Sequence, residues 1–289
     1  MSQTITSQAE KLFAGRRLVI ATMHAKEKVI APVIEQIIGV SCFAVENFDT
    51  DRLGTFTGEV ERPDDPLNTV RKKCLTAMDA AHCDLGIASE GSFGAHPVSF
   101  FIPADDELMI FIDRKNGIEV TARELSTSTN FRAEEIKSEQ QLLDFAQAVG
   151  FPSHALILRR SHQDNTSIIK GITDPAVLKA SYHALNNAYG EVWAETDMRA
   201  MYNPTRMNVI AGLAQKLAAN IMSCCPNCHM PGFNMTEAKT GLPCEYCHSP
   251  TRSTLSHIYA CKHCAHREEK MYPHGKKFCD PMYCDLCNP

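Results

Sequence analysis

The chain has no apolar run near the roughly 18 residues that a membrane-spanning helix requires, so no span is expected in its 289 residues. The densest run, Leu108-Met109-Ile110-Phe111-Ile112, is short enough to be a buried strand. Positive charge is not in surplus either: 29 Lys and Arg against 34 Asp and Glu give a formal net charge of −5. Nucleic-acid affinity comes largely from cations that neutralise phosphates, so nucleic acid is not the expected partner. The first residues, Met1-Ser2-Gln3-Thr4-Ile5-Thr6, lack the basic and apolar regions of a secretory leader. A cytoplasmic location is expected, where thiols stay reduced. There is no low-complexity tract, and no repeat other than paired cysteine hooks near the C-terminus.

Cysteine, by contrast, is plentiful and unevenly placed. Ten of the 13 cysteines fall in residues 223–289, and eight of them form Cys-x-x-Cys hooks: Cys225/Cys228, Cys244/Cys247, Cys261/Cys264 and Cys284/Cys287. One such turn offers two soft thiolates from a single bend, and a second bend 12–20 residues on closes a tetrahedron around Zn2+. Fifteen residues separate the first hook from the second and nineteen the third from the fourth. The expectation is two structural zinc ions, one held by the first two hooks and one by the last two. Pro226, Gly232 and Pro243 suit the turns, and residues 251–260 carry enough apolar side chains for a short strand or helix. Cys224, Cys279 and His266 are spare groups that could replace a named ligand, though the x-x spacing favours the eight. The segment is too small and polar for a large core, so metal must supply much of its folding energy. Seven Lys/Arg and six Asp/Glu, together with −2 from each zinc tetrathiolate, bring it near −3. It is therefore a poor nucleic-acid reader and a better candidate for docking a protein partner.

Residues 1–222 are expected to form an α/β domain, followed by a double zinc-ribbon domain over 223–289. Residues 17–22, 40–45 and 84–89 are predicted strands. Between them, 26–38 and 66–82 show helical spacing of apolar residues, with Pro66 at a first turn and Arg71, Lys72 and Lys73 on the polar face. Residues 107–114 and 118–125 form two more strands joined at Asn116-Gly117, a hairpin signal. Alternating strands and helices imply a mixed sheet with flanking helices. Further along, helices are predicted at 138–149, 174–188 and 205–222, and a strand at 155–159.

Ligands of open α/β sheets bind beyond the carboxyl ends of the strands. Past the first strand lie Thr22, His24, Lys26 and Lys28 at a helix start, a set suited to phosphate; Thr22 serves equally as an N-cap with solvated lysines. Past the third strand, Ser89-Glu90-Gly91-Ser92-Phe93-Gly94-Ala95-His96-Pro97 reads as a flexible turn. There Glu90 could hold Mg2+ or position water, with Ser92 as a ligand contact. Residues 195–206 hold Arg199 and Arg206, which could grip phosphate or form ion pairs at the start of a helix.

The segments Gly58-Glu59-Val60-Glu61-Arg62-Pro63, Ala88-Ser89-Glu90-Gly91-Ser92-Phe93-Gly94, Thr196-Asp197-Met198-Arg199, Asn203-Pro204-Thr205-Arg206 and the last ten residues resemble an uncharacterised bacterial family with a C-terminal zinc-ribbon pair. A second resemblance, over roughly residues 17–119, is to the inosine/xanthosine triphosphatases. Ala21-Thr22-x-His24 resembles that family's phosphate motif, Thr69 falls on a Thr of its second motif, and Asp84 with Glu90-Gly91 matches its Asp-x5-Glu-Gly pattern. Glu27 stands where the family has lysine, Thr76 where it has arginine, and Ser92 where it has glycine. This resemblance implies Mg2+-dependent cleavage of nucleoside triphosphates to monophosphate and pyrophosphate, with Glu90 on the metal. The two functional expectations are therefore a Mg2+-dependent phosphohydrolase acting on a nucleotide-like substrate, and a non-enzymatic small-ligand-binding protein whose zinc ribbons dock a protein partner.

Overall fold

The computed structural model of the protein describes residues 8–45 and 65–289. Segment 58–63, which contributes to the first resemblance, lies outside the described residues. The described chain is mixed α/β, with a mixed sheet flanked by helices and two C-terminal four-cysteine clusters, as the sequence leads one to expect. It divides into two units. One is Gly15–Ala218; the other is Ala219–Pro289 together with the residues up to 14. The sequence reading instead cuts at 222/223 and leaves the start of the chain with the α/β part.

The elements in chain order are α1 (Gln8–Phe13), β1 (Arg17–Ala21), α2 (Glu27–Ile38), β2 (Ser41–Ala44), α3 (Pro66–Ala80), β3 (Leu85–Ala95), β4 (Pro103–Asp113), β5 (Ile118–Ser126), β6 (Ala133–Glu135), α4 (Glu139–Ala148), β7 (Leu156–Arg159), β8 (Ile169–Ile172), α5 (Pro175–Tyr189), β9 (Trp193–Thr196), α6 (Pro204–Met222), β10 (Asn234–Thr240), β11 (Thr254–Ala260) and β12 (Arg267–Met271). Among the described residues no helix is long and apolar enough to cross a membrane.

The first sheet runs β2-β1-β3-β4-β5. β1 pairs in parallel with β2 and β3, and the β3–β4 and β4–β5 pairs are antiparallel hairpins. The three expected strands thus share one sheet, and the Asn116-Gly117 turn extends it. Both faces of β1 are covered, so Leu18 to Ala21 are all buried rather than alternating. α3 lays Val70, Cys74, Ala77 and Met78 against Val19, Ala21, Ala88 and Ile110. Its start is fixed by Asp65, whose carboxylate accepts from the backbone amides of Leu67 (3.0 Å) and Asn68 (3.1 Å).

Two expectations need correction here. Residues 89–97 are not a turn for most of their length: β3 continues to Ala95, paired with β4 throughout from Leu85↔Asp113 to Ala95↔Pro103. Two glycines within seven residues mimic a loop, but the partner strand supplies every ladder bond. Lys73 is also buried rather than on a solvated face. It lies three residues after Val70 and four before Ala77, which at 3.6 residues per turn is the apolar side of α3.

A second sheet, β6-β9-β7-β8, is wholly antiparallel. Its core joins Leu142 and Phe145 of α4, Leu156 and Leu158 of β7, and Leu178 and Tyr182 of α5. Ser138 and Asp174 cap α4 and α5, and Gly190 ends α5 in the left-handed conformation (φ 71°).

Where β3 passes under α3, the chain has room only for glycine. A Cβ on Gly86 would lie 2.6 Å from Met78 Cγ and 2.8 Å from Cys74 Sγ. Gly86→Ala should therefore destabilise the Gly15–Ala218 unit by about 1–3 kcal/mol through overpacking, read as a lower urea midpoint; an unchanged midpoint would refute the packing.

Candidate functional site

β1 lies between β2 and β3, and its carboxyl end leads through α2 to β2 on one side while β3 lies on the other. That end is where a crevice opens in an α/β sheet. The last β1–β3 pair is Ala21↔Ala88, and β3 then runs on to Ala95 beside β4 alone. Thr22 and Lys26 are buried at this point. Thr22 does not cap α2: its Oγ1 accepts from the His24 amide at 3.2 Å, and Lys26 occupies the capping position without a side-chain bond. Lys26 Nζ instead reaches across to Ser89 Oγ at 3.0 Å. Burial, reinforced by the positive charges of Arg206 and Lys73 and opposed by Glu107 and Glu90, lowers the Lys26 pKa to about 8. His24 is half-buried and Lys28 is exposed.

The overhanging β3–β4 hairpin carries charges on both faces, as strand alternation dictates. On the α3 side, Glu90 forms a buried ion pair with Lys73. Ser92, on that same side, is exposed. On the other face lie Ser89, Gly91 and Phe93 of β3, with Asp105 and Glu107 of β4 opposite Phe93 and Gly91. Arg206, from the first turn of α6, is fully buried here. Its Nε donates to Glu107 Oε1 at 2.6 Å, its Nη1 donates to the Met198 carbonyl at 2.5 Å, and its guanidinium lies 5.0 Å from the centroid of the Phe93 ring. A Cβ on Gly91 would strike Glu107 Oε1 and approach Arg206 Nη2 to 2.6 Å, so this ion pair rests directly on the glycine backbone. Asp105 has no exposed surface and its pKa rises to about 7, through burial first and then the charge of Glu107.

Thr22 and Lys26 thus sit at the end of β1, with Glu90 on the α3 face of the neighbouring hairpin and Arg206 on its other face, whereas Arg199 is engaged elsewhere. Its guanidinium chelates the buried Asp197 (Nη2 to Oδ2, 2.6 Å) and lies 4.6 Å from the centroid of the Tyr202 ring. Asp197 also accepts from the Gly171 amide at 3.0 Å. Lys73, Asp105 and Glu107 were not singled out as site residues from sequence. Lys73 was legible from its helical position. The two acids were hidden by Asp106 between them, which makes Asp105-Asp106-Glu107 look like a solvated acidic run.

The eight hook cysteines form two clusters, but not in the expected pairing. Cys225, Cys228, Cys261 and Cys264 make one, and Cys244, Cys247, Cys284 and Cys287 the other. β10, β11 and β12 explain this. They form an antiparallel meander in which Asn234 and Arg267 both face Ala260 at one end, and Thr240 faces Thr254 at the other. Each strand carries the chain across the sheet, so successive hooks alternate ends. The first meets the third and the second meets the fourth.

The Sγ atoms of Cys225 and Cys264 are 3.7 Å apart, those of Cys228 and Cys261 3.6 Å, those of Cys244 and Cys287 3.9 Å, and those of Cys247 and Cys284 3.6 Å. A tetrahedron with Zn–S bonds of about 2.3 Å has edges of about 3.8 Å. The residue after each of the first three hooks is left-handed (His229 φ 60°, His248 φ 57°, Ala265 φ 59°), and its amide donates back to the first cysteine's carbonyl at 2.9–3.0 Å. The Cys264 pKa falls to about 6, led by the hydrogen bond from Asn227. That of Cys247 falls to about 6 too, led by the amide and hydroxyl of Ser249. In the same clusters Cys228 and Cys287 are pushed up to about 12, so a metal-free cluster favours a thiolate at one position and a thiol at another. Cys224, Cys279 and His266 belong to neither cluster; Cys279 is buried against Ser253 Oγ at 3.1 Å.

Two tests follow from this geometry. In cadmium-substituted protein, Cys225→Ser and Cys261→Ser should perturb the same cadmium resonance, and Cys244→Ser and Cys284→Ser the other; sequential pairing would give the opposite grouping. Glu107→Gln should cost about 3–5 kcal/mol on chemical denaturation, because it leaves Arg206 buried opposite a neutral amide; a cost under about 1 kcal/mol would refute the pairing's importance.

Among solved structures, a competence-damaged protein (CinA) superfamily protein from Enterobacter cloacae is similar over 66% of this chain and 94% of that one, at 15% identity and a TM-score of 0.24. A TM-score that low establishes no common fold. No curated protein matches the chain. A family profile described as "Domain of unknown function (DUF6671)" matches residues 73–289, from the middle of α3 through both cysteine clusters. That span exceeds half of the chain, and the protein belongs to this family.

Proposed function

We propose that the Gly15–Ala218 unit binds a phosphorylated, nucleotide-like molecule beyond the carboxyl ends of β1 and β3 and hydrolyses it with Mg2+, and that two zinc ions hold the cysteine-rich unit as a structural module. The observation that carries this reading is the gathering of Lys26, Lys73 and Arg206, all buried, with Glu90, Asp105 and Glu107 at one strand end. Burying a lysine is costly unless an anion meets it. The N-terminus of α2 adds positive potential at the same place. Thr22, His24 and Lys26 would hold phosphate. Glu90, fixed by Lys73, would orient the attacking water. Asp105 and Glu107 supply the further carboxylates that the sequence reading lacked, which favours hydrolysis over binding alone.

A second reading, binding without turnover and docking of a protein partner, draws on the second cysteine cluster. Tyr246 and Leu286, inside its two hooks, are 81% and 73% exposed, and Tyr283 beside Cys284 is 64% exposed. Apolar side chains crowded on a small metal-held surface fit a docking patch.

A panel of nucleoside mono-, di- and triphosphates with Mg2+, assayed for phosphate and pyrophosphate release alongside binding, separates the two readings. Hydrolysis predicts release, lost by about 10²-fold or more in a folded Glu90→Gln variant. Lys26→Ala should raise KM by on the order of tenfold. Binding of a nucleotide with no release from any member leaves only the second reading. Phosphate affinity should also fall as pH rises through about 8, the Lys26 pKa, because the ammonium is the binding form; a flat profile to pH 10 would remove Lys26 from the site.

A further inference from the structure

The two acids of β4 that the hydrolase reading counts as nearby carboxylates have no role assigned by it. Asp105 and Glu107 are two residues apart and so project from one face of the strand. Both are wholly buried. Glu107 gives one oxygen, Oε1, to Arg206 Nε. Its Oε2 and both oxygens of Asp105 are buried and accept no hydrogen bond. Among the described residues, three carboxylate oxygens are thus turned away from water with no N–H or O–H to meet them. A native fold rarely leaves such acceptors orphaned, and each one costs free energy until a partner arrives.

The chemistry of the missing partner can be narrowed. The acceptors are hard, anionic oxygens without a nitrogen or sulfur ligand among them, a set that suits Mg2+ or Mn2+ rather than zinc. Two carboxylates are what a Mg2+ site typically draws from protein, the remaining positions going to water and substrate phosphate. Glu90 is the acid that the triphosphatase resemblance would put on the metal, but its carboxylate is paired with Lys73. We propose that Asp105 and Glu107 form a divalent-cation site of the Mg2+ class, and that Glu90 is not one of its ligands. The proposal rests on the hydrolase reading only for its purpose. The site itself is defined by the orphaned oxygens of β4.

The experiment is a Mn2+ titration of the zinc-loaded full-length chain, without nucleotide, following free Mn2+ by electron paramagnetic resonance. One Mn2+ should bind per chain and be displaced by Mg2+. Asp105→Asn should weaken binding by roughly tenfold or more, as expected for loss of an anionic ligand. Because it removes a buried charge at almost constant volume, it should keep its zinc content and melting temperature. Glu90→Gln should bind Mn2+ as the wild type does. Glu107→Gln should also weaken binding, but it breaks the pair with Arg206, so Asp105→Asn decides. No Mn2+ bound to the wild type, unchanged affinity in Asp105→Asn, or loss of binding in a Glu90→Gln variant that keeps its fold would each overturn the site. Because the readout needs no turnover, a chain that binds Mn2+ here and cleaves no nucleotide keeps the site and loses the hydrolase reading.

Discussion

The ion pair between Arg206 and Glu107 is the constraint around which the larger unit is arranged. It lies in a dry interior, where a charge without its counter-charge is far more costly than in water. Everything near it is shaped to keep the two together. Gly91 has no side chain, so the pair can lie flat on β3. The Met198 carbonyl takes another guanidinium N–H, and the Phe93 ring lies against the guanidinium. Asn203 accepts from the Arg206 amide at 3.0 Å and donates to Asn130 at 2.8 Å, and His154 meets the Thr205 hydroxyl at 2.9 Å. The first turn of α6 is therefore fixed on both sides of Arg206. Isosteric apolar replacement of such a pair is often neutral or stabilising, so its stability contribution alone does not account for it. What it supplies is position, since it fixes α6 against the hairpin that bears Asp105.

The smaller unit solves a different problem. Around its three strands the buried apolar side chains are few, Phe233, Leu242 and Ile258 beside the cysteines. A meander of three short strands cannot hold itself with so little core. Interleaving the hooks brings together in each cluster two strand ends that are far apart in sequence, so metals bound there would clamp both ends of one sheet. Two sequential ribbons would each have stapled only a local loop.

Much of this was legible in sequence, and the failures have physical causes. The five strands of the first sheet and the long helices declared themselves through apolar runs and helical spacing, most clearly in β1 and the adjoining parts of β3 and β4, which are buried on both faces. The eight ligands declared themselves through Cys-x-x-Cys spacing, but spacing records loop length and not which end of a sheet a loop reaches. β10 and β12 are polar and mostly exposed, so nothing in Asn234-Met235-Thr236-Glu237-Ala238-Lys239-Thr240 betrayed a strand, and without it the alternation of ends was invisible. β6, β8 and β9 have three or four residues each, too few for a period to show. At the end of β1, Lys26 and Glu90 drew notice through their expected place beyond strands, although Glu90 lies within β3. Asp105 and Glu107 were missed because a buried acid and a solvated one look the same in a sequence.

The charges left over describe the crevice best. Of the three buried cations and three buried acids, Lys73 takes Glu90 and Arg206 takes Glu107. Among the described residues, Lys26 meets the hydroxyl and carbonyl of Ser89, and Asp105 meets nothing that donates. Their pKa values move accordingly, the ammonium down to about 8 and the carboxyl up to about 7, each toward its neutral form. Neither relieves the other by direct contact. On the reading proposed above, an anion would meet Lys26 and a cation would meet Asp105. A phosphate arriving with its divalent metal carries one of each, and it would satisfy at once the two charges that the fold leaves unmatched.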